Sequence, residues 1–332
     1  MQAGPEKPPL GIVFDANLGH TIDSVLALAL LHGFAGKQQC RVASLTINCP
    51  DLRAAQLCDV IERFYASATG PGLGGFVPAP APIGITEGHK PAPTTFPVLA
   101  KVWESKIAQW NDTAIPELLI RNSLMATYDG DAAMVLTGPA TNLLALLKLY
   151  DILPLIAAKV RLLSIAGNEF TADLPAARRV LEEWPTPIVF CSPEVGEQLP
   201  FPGASIDTAF SYNPTHPIAA AYKAAKAMPY DANGQALAAT LYAIKAKPDY
   251  FTLSEPGTFS LNAAGKVDFK PTAQGKHRWL KADPAKKDEV TRLYTDMAGA
   301  KPVAPPPRRL PPQVQKELDE QDQKAKQKAQ QK

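Results

Sequence analysis

The sequence predicts an α/β fold in which a mostly parallel central sheet is flanked by helices on both faces. Three features point there. Short apolar runs alternate with stretches whose apolar residues recur at helical spacing, which is the signature of βαβ units. The apolar runs read as strands buried on both faces. Gly and polar residues punctuate the junctions, and the first run delivers an acidic residue to the sheet edge.

The elements follow in order. Residues 11–15 (GIVFD) form the first strand and 22–33 a densely apolar helix, with Gly33 as a natural stop. A second strand is expected at 41–47 and a second helix at 52–65. The alternation then runs helix 115–126, strand 132–137, helix 141–149, strand 160–165, helix 175–184 and strand 188–191. Residues 70–97 (GPGLGG, PAPAPIG, KPAPTTFP) are rich in Gly and Pro and read as a long loop over one end of the sheet. The α/β domain is taken as residues 9–300. Residues 301–332 are first Pro-rich (PPPRRLPP), then a Lys/Gln/Glu run too polar to bury a core, and read as a disordered tail. The Pro-rich part is either a polyproline segment for a partner or a solubilising spacer.

Composition narrows the function. The 332 residues carry 34 Lys/Arg and 32 Asp/Glu, a net charge of +2, and 46% are hydrophobic. Residues 301–332 hold eight basic and four acidic side chains, so the rest of the chain sits at −2. That balance argues against a nucleic-acid-binding body. No apolar run approaches the ~18–20 residues of a membrane span. The start, MQAGPEKPPLG, shows no apolar signal segment, which suits a cytoplasmic protein. Cys40, Cys49, Cys58 and Cys191 lack C-x-x-C spacing and read as reduced structural thiols.

Ligands of open parallel sheets bind at the carboxyl ends of the strands. Three such ends stand out: 15–24, 46–49 and 136–142. The first, DANLGHTIDS, offers Asp15, Asn17, Asp23 and Ser24 around Gly19. Oxygen donors at this spacing suit a hard cation such as calcium; equally, Asp23 is placed to cap the helix that begins beside it. His20, in the same loop, faces either the pocket or the surface.

These residues carry a family resemblance. FDANLGHTIDSVLALALLHGF resembles the D-x-D-x-G-x(1–2)-D-D-A-x-A signature of the inosine-uridine preferring nucleoside hydrolases, and TGPATNLLALL resembles that family's T-G-P-L-T-N-x-A segment. Matches at LTINCP, DLPAARRVLEEWPTPIVF, LYAIKAKPDYFTLSEPGT and GKHRWL follow in order, spanning roughly residues 9–282. The resemblance implies a Rossmann-like nucleoside hydrolase fold, often dimeric or tetrameric. It also implies a calcium ion that holds ribose hydroxyls and the attacking water, and hydrolysis of the N-glycosidic bond of ribonucleosides to base and ribose.

Position by position, the resemblance implies an eroded centre. Asp15 keeps the first Asp. Asn17 stands where the family's calcium ligand and general base would be, and Ser24 where a further calcium carboxylate would be. Asp23 and Asn48 keep ribose-contacting positions, and the carbonyl of Thr137 keeps a calcium contact. Ala236 falls at the last calcium carboxylate, after Gln235, with Asp231 five residues early as a substitute if the loop is re-registered. Glu169 is the candidate ribose-holding Glu, with Thr171 in place of the accompanying Asn. An amide has no basic site near neutral pH, and losing such a base typically costs about 10²–10⁴ in rate. Asp15, Asn17 and Asp23 are thus the candidate catalytic residues; Asp23, Asn48, Glu169 and His20 the candidate substrate contacts; and Asp15, Asn17, Ser24 and Thr137 the vestigial metal set. The expected ligand is a ribonucleoside or other ribosyl compound, turned over by a weakened hydrolase; the alternative is a silent relative that binds a ribosyl ligand or a protein partner, with calcium weak or lost. Outside this set, His277 is expected to pack near the domain end, Trp103 and Trp110 to pack from a helix, and His89 is left unplaced.

Overall fold

The computed structural model describes residues 8–67, 81–87, 104–167, 170–171, 173–246 and 249–303. Its first strand, β1 (Gly11–Ala16), is buried along its whole length and pairs in parallel with β2 (Arg41–Ile47) on one side and β4 (Ala132–Thr137) on the other. The two-residue period sends Ile12, Phe14 and Ala16 into one core and Val13 into the other, so both faces of the strand must be apolar. With β3 (Ile83–Ile85), β5 (Val160–Ala166), β6 (Ile188–Cys191), β7 (Phe251–Leu253) and β10 (Arg278–Ala282), the sheet runs in the order β3-β2-β1-β4-β5-β6-β10-β7. Only β7 is antiparallel to its neighbour. A separate antiparallel hairpin joins β8 (Gly257–Leu261) to β9 (Val267–Pro271).

One face is covered by α1 (Ile22–Gly36), α2 (Leu52–Ser67), α9 (Pro217–Ala225), α10 (Gln235–Ile244) and α11 (Lys287–Ala298). The other carries α3 (Pro116–Met125), α4 (Thr141–Leu147), α5 (Ile152–Lys159) and α6 (Leu174–Glu183). Two short helices, α7 (Pro193–Gln198) and α8 (Ile206–Ala209), lie between β6 and α9. Every residue of α1 from Ser24 to Leu31 is buried, because the helix is wedged between the sheet and both α10 and α11.

Several expectations change. Gly33 does not stop α1, which continues to Gly36. A Cβ at Gly33 would stand 1.9 Å from the Met297 carbonyl oxygen, so its role is to let α11 approach the helix backbone. The helix expected at 141–149 ends at 147, and Asp151, with φ of 55°, turns the chain into the separate α5. Within the stretch read as loop, 83–85 adds an edge strand to β2, while 70–80 and 88–97 lie outside the described residues, as do the tail from 304 onward, His89 and Trp103. Trp110 sits in a 3-10 turn at 110–112 and is 38% exposed, so it is not a packed helical residue. His277 is buried, and its Nδ1 accepts the Ile188 amide at 2.9 Å, the domain-end packing expected. The four cysteines are free and buried, and burial pushes the Cys40 and Cys49 thiols up to about 12. No single described helix is long and apolar enough to cross a membrane.

Candidate active site

Parallel pairing in register brings the ends of β1, β2 and β4 to one edge, which sets Asp15, Thr46 and Leu136 side by side. Asp15 is fully enclosed there. Its Oδ1 accepts the Thr46 hydroxyl at 2.8 Å and the Asn142 amide at 2.8 Å, and Asn142 Nδ2 also donates to the Ile47 carbonyl. Burial pushes the Asp15 carboxyl up to about 7, against the opposing pull of its polar neighbours Asn142, Thr46 and Asn48.

Asn17 leaves the end of β1 with its backbone amide on both the carbonyl (2.7 Å) and the hydroxyl (3.2 Å) of Thr137. Asn48 Nδ2 donates to the same carbonyl at 3.2 Å. The chain passes between them at Gly138, whose φ is 111° and where a Cβ would stand 2.6 Å from Asn17 Cβ and 3.1 Å from Asn48 Oδ1. Glycine is therefore required for the two asparagines to close on this turn.

Asn17, His20, Asn48, Thr86, Glu87, Pro139, Thr141 and Asp173 line a cleft of about 460 Å³ above these strand ends. His20 thus faces the cleft. Asp173 enters from the far side, where its carboxylate caps α6 by accepting the Ala176 amide at 3.3 Å; burial raises its pKa. Asp23 does not simply cap its own helix. Its Oδ1 accepts the Ser24 amide at 2.9 Å, while Oδ2 accepts the Ala236 amide at 3.3 Å and so braces the first turn of α10. Burial raises the Asp23 pKa as well.

Several of the calcium donors implied by the resemblance are engaged within the fold or offer no oxygen. Ser24 Oγ is engaged by Thr137 Oγ1 at 2.9 Å and Thr21 Oγ1 at 3.2 Å. Both lone pairs of the Thr137 carbonyl already receive N–H donors. Ala236 is fully buried and offers no side-chain oxygen, and Gln235 Nε2 donates to the Cys191 carbonyl at 2.8 Å. Asp231 is no substitute: its Oδ1 accepts the Gly203 amide at 2.8 Å and fixes that turn. Among the described residues no three His, Cys, Asp or Glu side chains are placed to hold a metal. A calcium ion seeks six to eight oxygens, and its affinity rises with charged ligands; this donor set does not fit it. Glu169 lies outside the described residues, and Thr171 is exposed.

Sequence reasoning missed Thr86 and Glu87, and within the strand end 136–142 it did not single out the side chains of Thr141 and Asn142. Position was the available signal, since each follows a strand at its carboxyl end.

A mostly parallel sheet with a polar cluster at its carboxyl edge is the arrangement in which open α/β sheets place ligand sites. Solved structures narrow the fold further. A plant nucleoside hydrolase matches over 89% of this chain and 100% of its own, with a TM-score of 0.63 and 15% identity. The inosine-uridine preferring nucleoside hydrolase from Bacillus anthracis matches over 86% and 99%, with a TM-score of 0.59 and 17% identity. The type III effector protein XopQ, solved in complex with adenosine diphosphate ribose, matches over 89% and 94%, with a TM-score of 0.61 and 13% identity. No protein-family model and no curated protein matches the sequence. The chain has the nucleoside hydrolase fold.

Proposed function

We propose that the chain is a divergent member of the nucleoside hydrolase family that binds a ribosyl compound in the Asn17–His20–Asn48 cleft, without the family's calcium ion and general base. The observation that carries this reading is the lining of the cleft. Asn17, His20, Asn48, Glu87, Thr141 and Asp173 all exchange or accept hydrogen bonds, as sugar hydroxyls require, and Lys and Arg are absent from its described lining. Such a lining favours an uncharged riboside over a phosphorylated one. Two proteins of the same fold are nucleoside hydrolases, and a third was solved in complex with adenosine diphosphate ribose. Asn17 has no basic site, and Ser24 and Asp23 are spent on hydrogen bonds within the fold, so chemistry by the family route lacks its parts.

A hydrolytic reading has one observation in its favour. Asp15, at about 7, titrates where a general base works best. Its carboxyl is 0% exposed, however, and one oxygen is already held by two donors, which favours the binding reading.

The test is calorimetry of the full chain with inosine, uridine, ribose and adenosine diphosphate ribose, alongside base release with and without calcium. Saturable binding of a riboside, lost in Asn48→Ala, without calcium-stimulated release is expected. Calcium-stimulated release of base would overturn the proposal. Turnover without calcium that disappears in Asp15→Asn would establish the hydrolytic reading instead.

A further inference from the structure

A second cavity, of about 610 Å³, adjoins the cleft and shares Thr86 and Glu87 with it as a common wall. Trp110, Thr113, Ile115 and Glu117 complete much of its described lining, which contains no Lys or Arg. The wall is built by the chain that leads into α3. Ala114 lies along the edge strand β3: its amide donates to the Ile83 carbonyl at 2.8 Å, and its carbonyl accepts the Ile85 amide at 3.3 Å. Upstream, the Asp112 carboxylate accepts the Ala108 and Gln109 amides at 2.8 and 3.0 Å and so fixes the turn that carries Trp110. A half-exposed indole is thus held beside a cavity by a hydrogen-bonded turn, outside both hydrophobic cores. Neither Glu87 nor Glu117 has an ion-pair partner among the described residues. In the adjoining cleft Asn48 Oδ1, on a residue 2% exposed, is enclosed and has no hydrogen-bond partner among the described residues, which marks a place that something polar completes.

We propose that the second cavity receives the aglycone of the bound riboside, and that this aglycone is a cationic heteroaromatic ring, an N-ribosylpyridinium being the simplest case. The proposal rests on the ribosyl reading of the cleft. The sugar half of such a ligand is uncharged, as the cleft requires, and the positive charge sits on the ring beside it. The face of an indole attracts a cation as well as stacking on a flat ring. Glu87 and Glu117, with Asp173 across the cleft, give the two cavities a single sign of charge, which a cation complements and an anion does not. A neutral base gains the stacking alone. The prepared turn adds to this, because Trp110 is held in place before the ligand arrives.

The test is calorimetry of the full chain at pH 7 with three ribosides: nicotinamide riboside, a cation; nicotinic acid riboside, the same shape with a carboxylate added; and inosine. A fourth arm, 1-methylnicotinamide, is the cation without the sugar. Nicotinamide riboside is expected to bind about 10-fold more tightly than either other riboside. Glu117→Gln and Trp110→Ala should each reduce that ratio about 3- to 10-fold. Equal affinities for the three ribosides would overturn the cationic aglycone and leave the ribosyl reading standing. A preference that both variants leave untouched would do the same. Binding of 1-methylnicotinamide that the sugar does not strengthen would mean that the ribosyl reading fails, and the proposal with it. Absence of binding in every arm would overturn both.

Discussion

Two of the places where the molecule buries polar side chains treat them in opposite ways. Between α1, α2 and α9, His216 lies against Phe64 and Phe210, with ring centroids at 4.3 and 4.8 Å. Both of its nitrogens are engaged: Nε2 with the Tyr212 hydroxyl at 2.7 Å, and Nδ1 with the Ile218 amide at 3.2 Å. Nearby, His32 pairs with Glu62 and stacks on Tyr65. At the carboxyl ends of the strands, by contrast, Asp15, Asn17 and Asn48 each keep an enclosed oxygen open. A polar group buried for stability finds its partners within the fold. A group kept incomplete beside a cleft is placed for something that arrives from outside. His216 thus reads as a packing histidine, and Asp15, Asn17 and Asn48, of similar burial, as candidates for binding.

The largest expected effect comes from restoring the lost charges. Asn17→Asp, Ser24→Asp and Ala236→Asp together place three new carboxylates near Asp15 and Asp23. Without metal, this uncompensated charge should cost about 3–5 kcal/mol of stability, with calcium restoring the midpoint and binding measurable by calorimetry. Failure of calcium to bind the triple variant would mean that these three positions do not correspond to the family's ligands.

Next is the aromatic cluster. His216→Ala leaves a cavity among Phe64, Phe210 and Tyr212 and strips two hydrogen bonds, an expected loss of about 3 kcal/mol in denaturant unfolding. Ligand binding at the cleft should be unchanged. A loss of binding at unchanged stability would erase the distinction between the two regions.

Asp15→Asn should act in the other direction. The amide keeps an acceptor for Thr46 and Asn142 and removes the cost of ionising a buried carboxyl, a gain of about 1–3 kcal/mol at pH 8, with ligand binding lost. Its pH dependence has a definite sign. The native carboxyl titrates at about 7 and the unfolded one near 3.8, so the native state binds the extra proton between those values. Wild-type stability from this group is therefore highest at acid pH and falls as pH rises from about 4 to 7. His216, lowered to about 3, and His277, lowered to about 4, work oppositely: each is neutral in the fold while its unfolded form is protonated below about 6.5. Their contribution rises over part of the same range. The gain of Asp15→Asn over wild type isolates the carboxyl, and it should grow from pH 5 to pH 8. The smallest effect is expected from deleting residues 304–332, which should move the midpoint by less than about 0.5 kcal/mol if the tail is a spacer.

Much of the first half of the fold was legible because β1, β4 and β6 are buried along their whole length and read as mainly apolar runs, and β2 and β5 keep a mainly apolar core around a few polar residues such as Arg41 and Arg161. The later strands were not. β7 and β9 are short and partly exposed, so their pattern resembles loop. Gly33 misled because a glycine that permits helix contact reads the same as one that ends a helix. In the candidate site, Asp15, Asn17 and His20 were singled out in the first strand-end segment and Asn48 in LTINCP, and Asn17, His20 and Asn48 line one cleft. What Asp23 and Ser24 do was beyond the sequence, since their partners Ala236 and Thr137 lie more than a hundred residues away.

The most direct measurement is base release from inosine, uridine and p-nitrophenyl riboside by the purified full chain, with and without added calcium. The account predicts that riboside binds while calcium leaves product release at the uncatalysed rate. Release that switches on with micromolar calcium would contradict it.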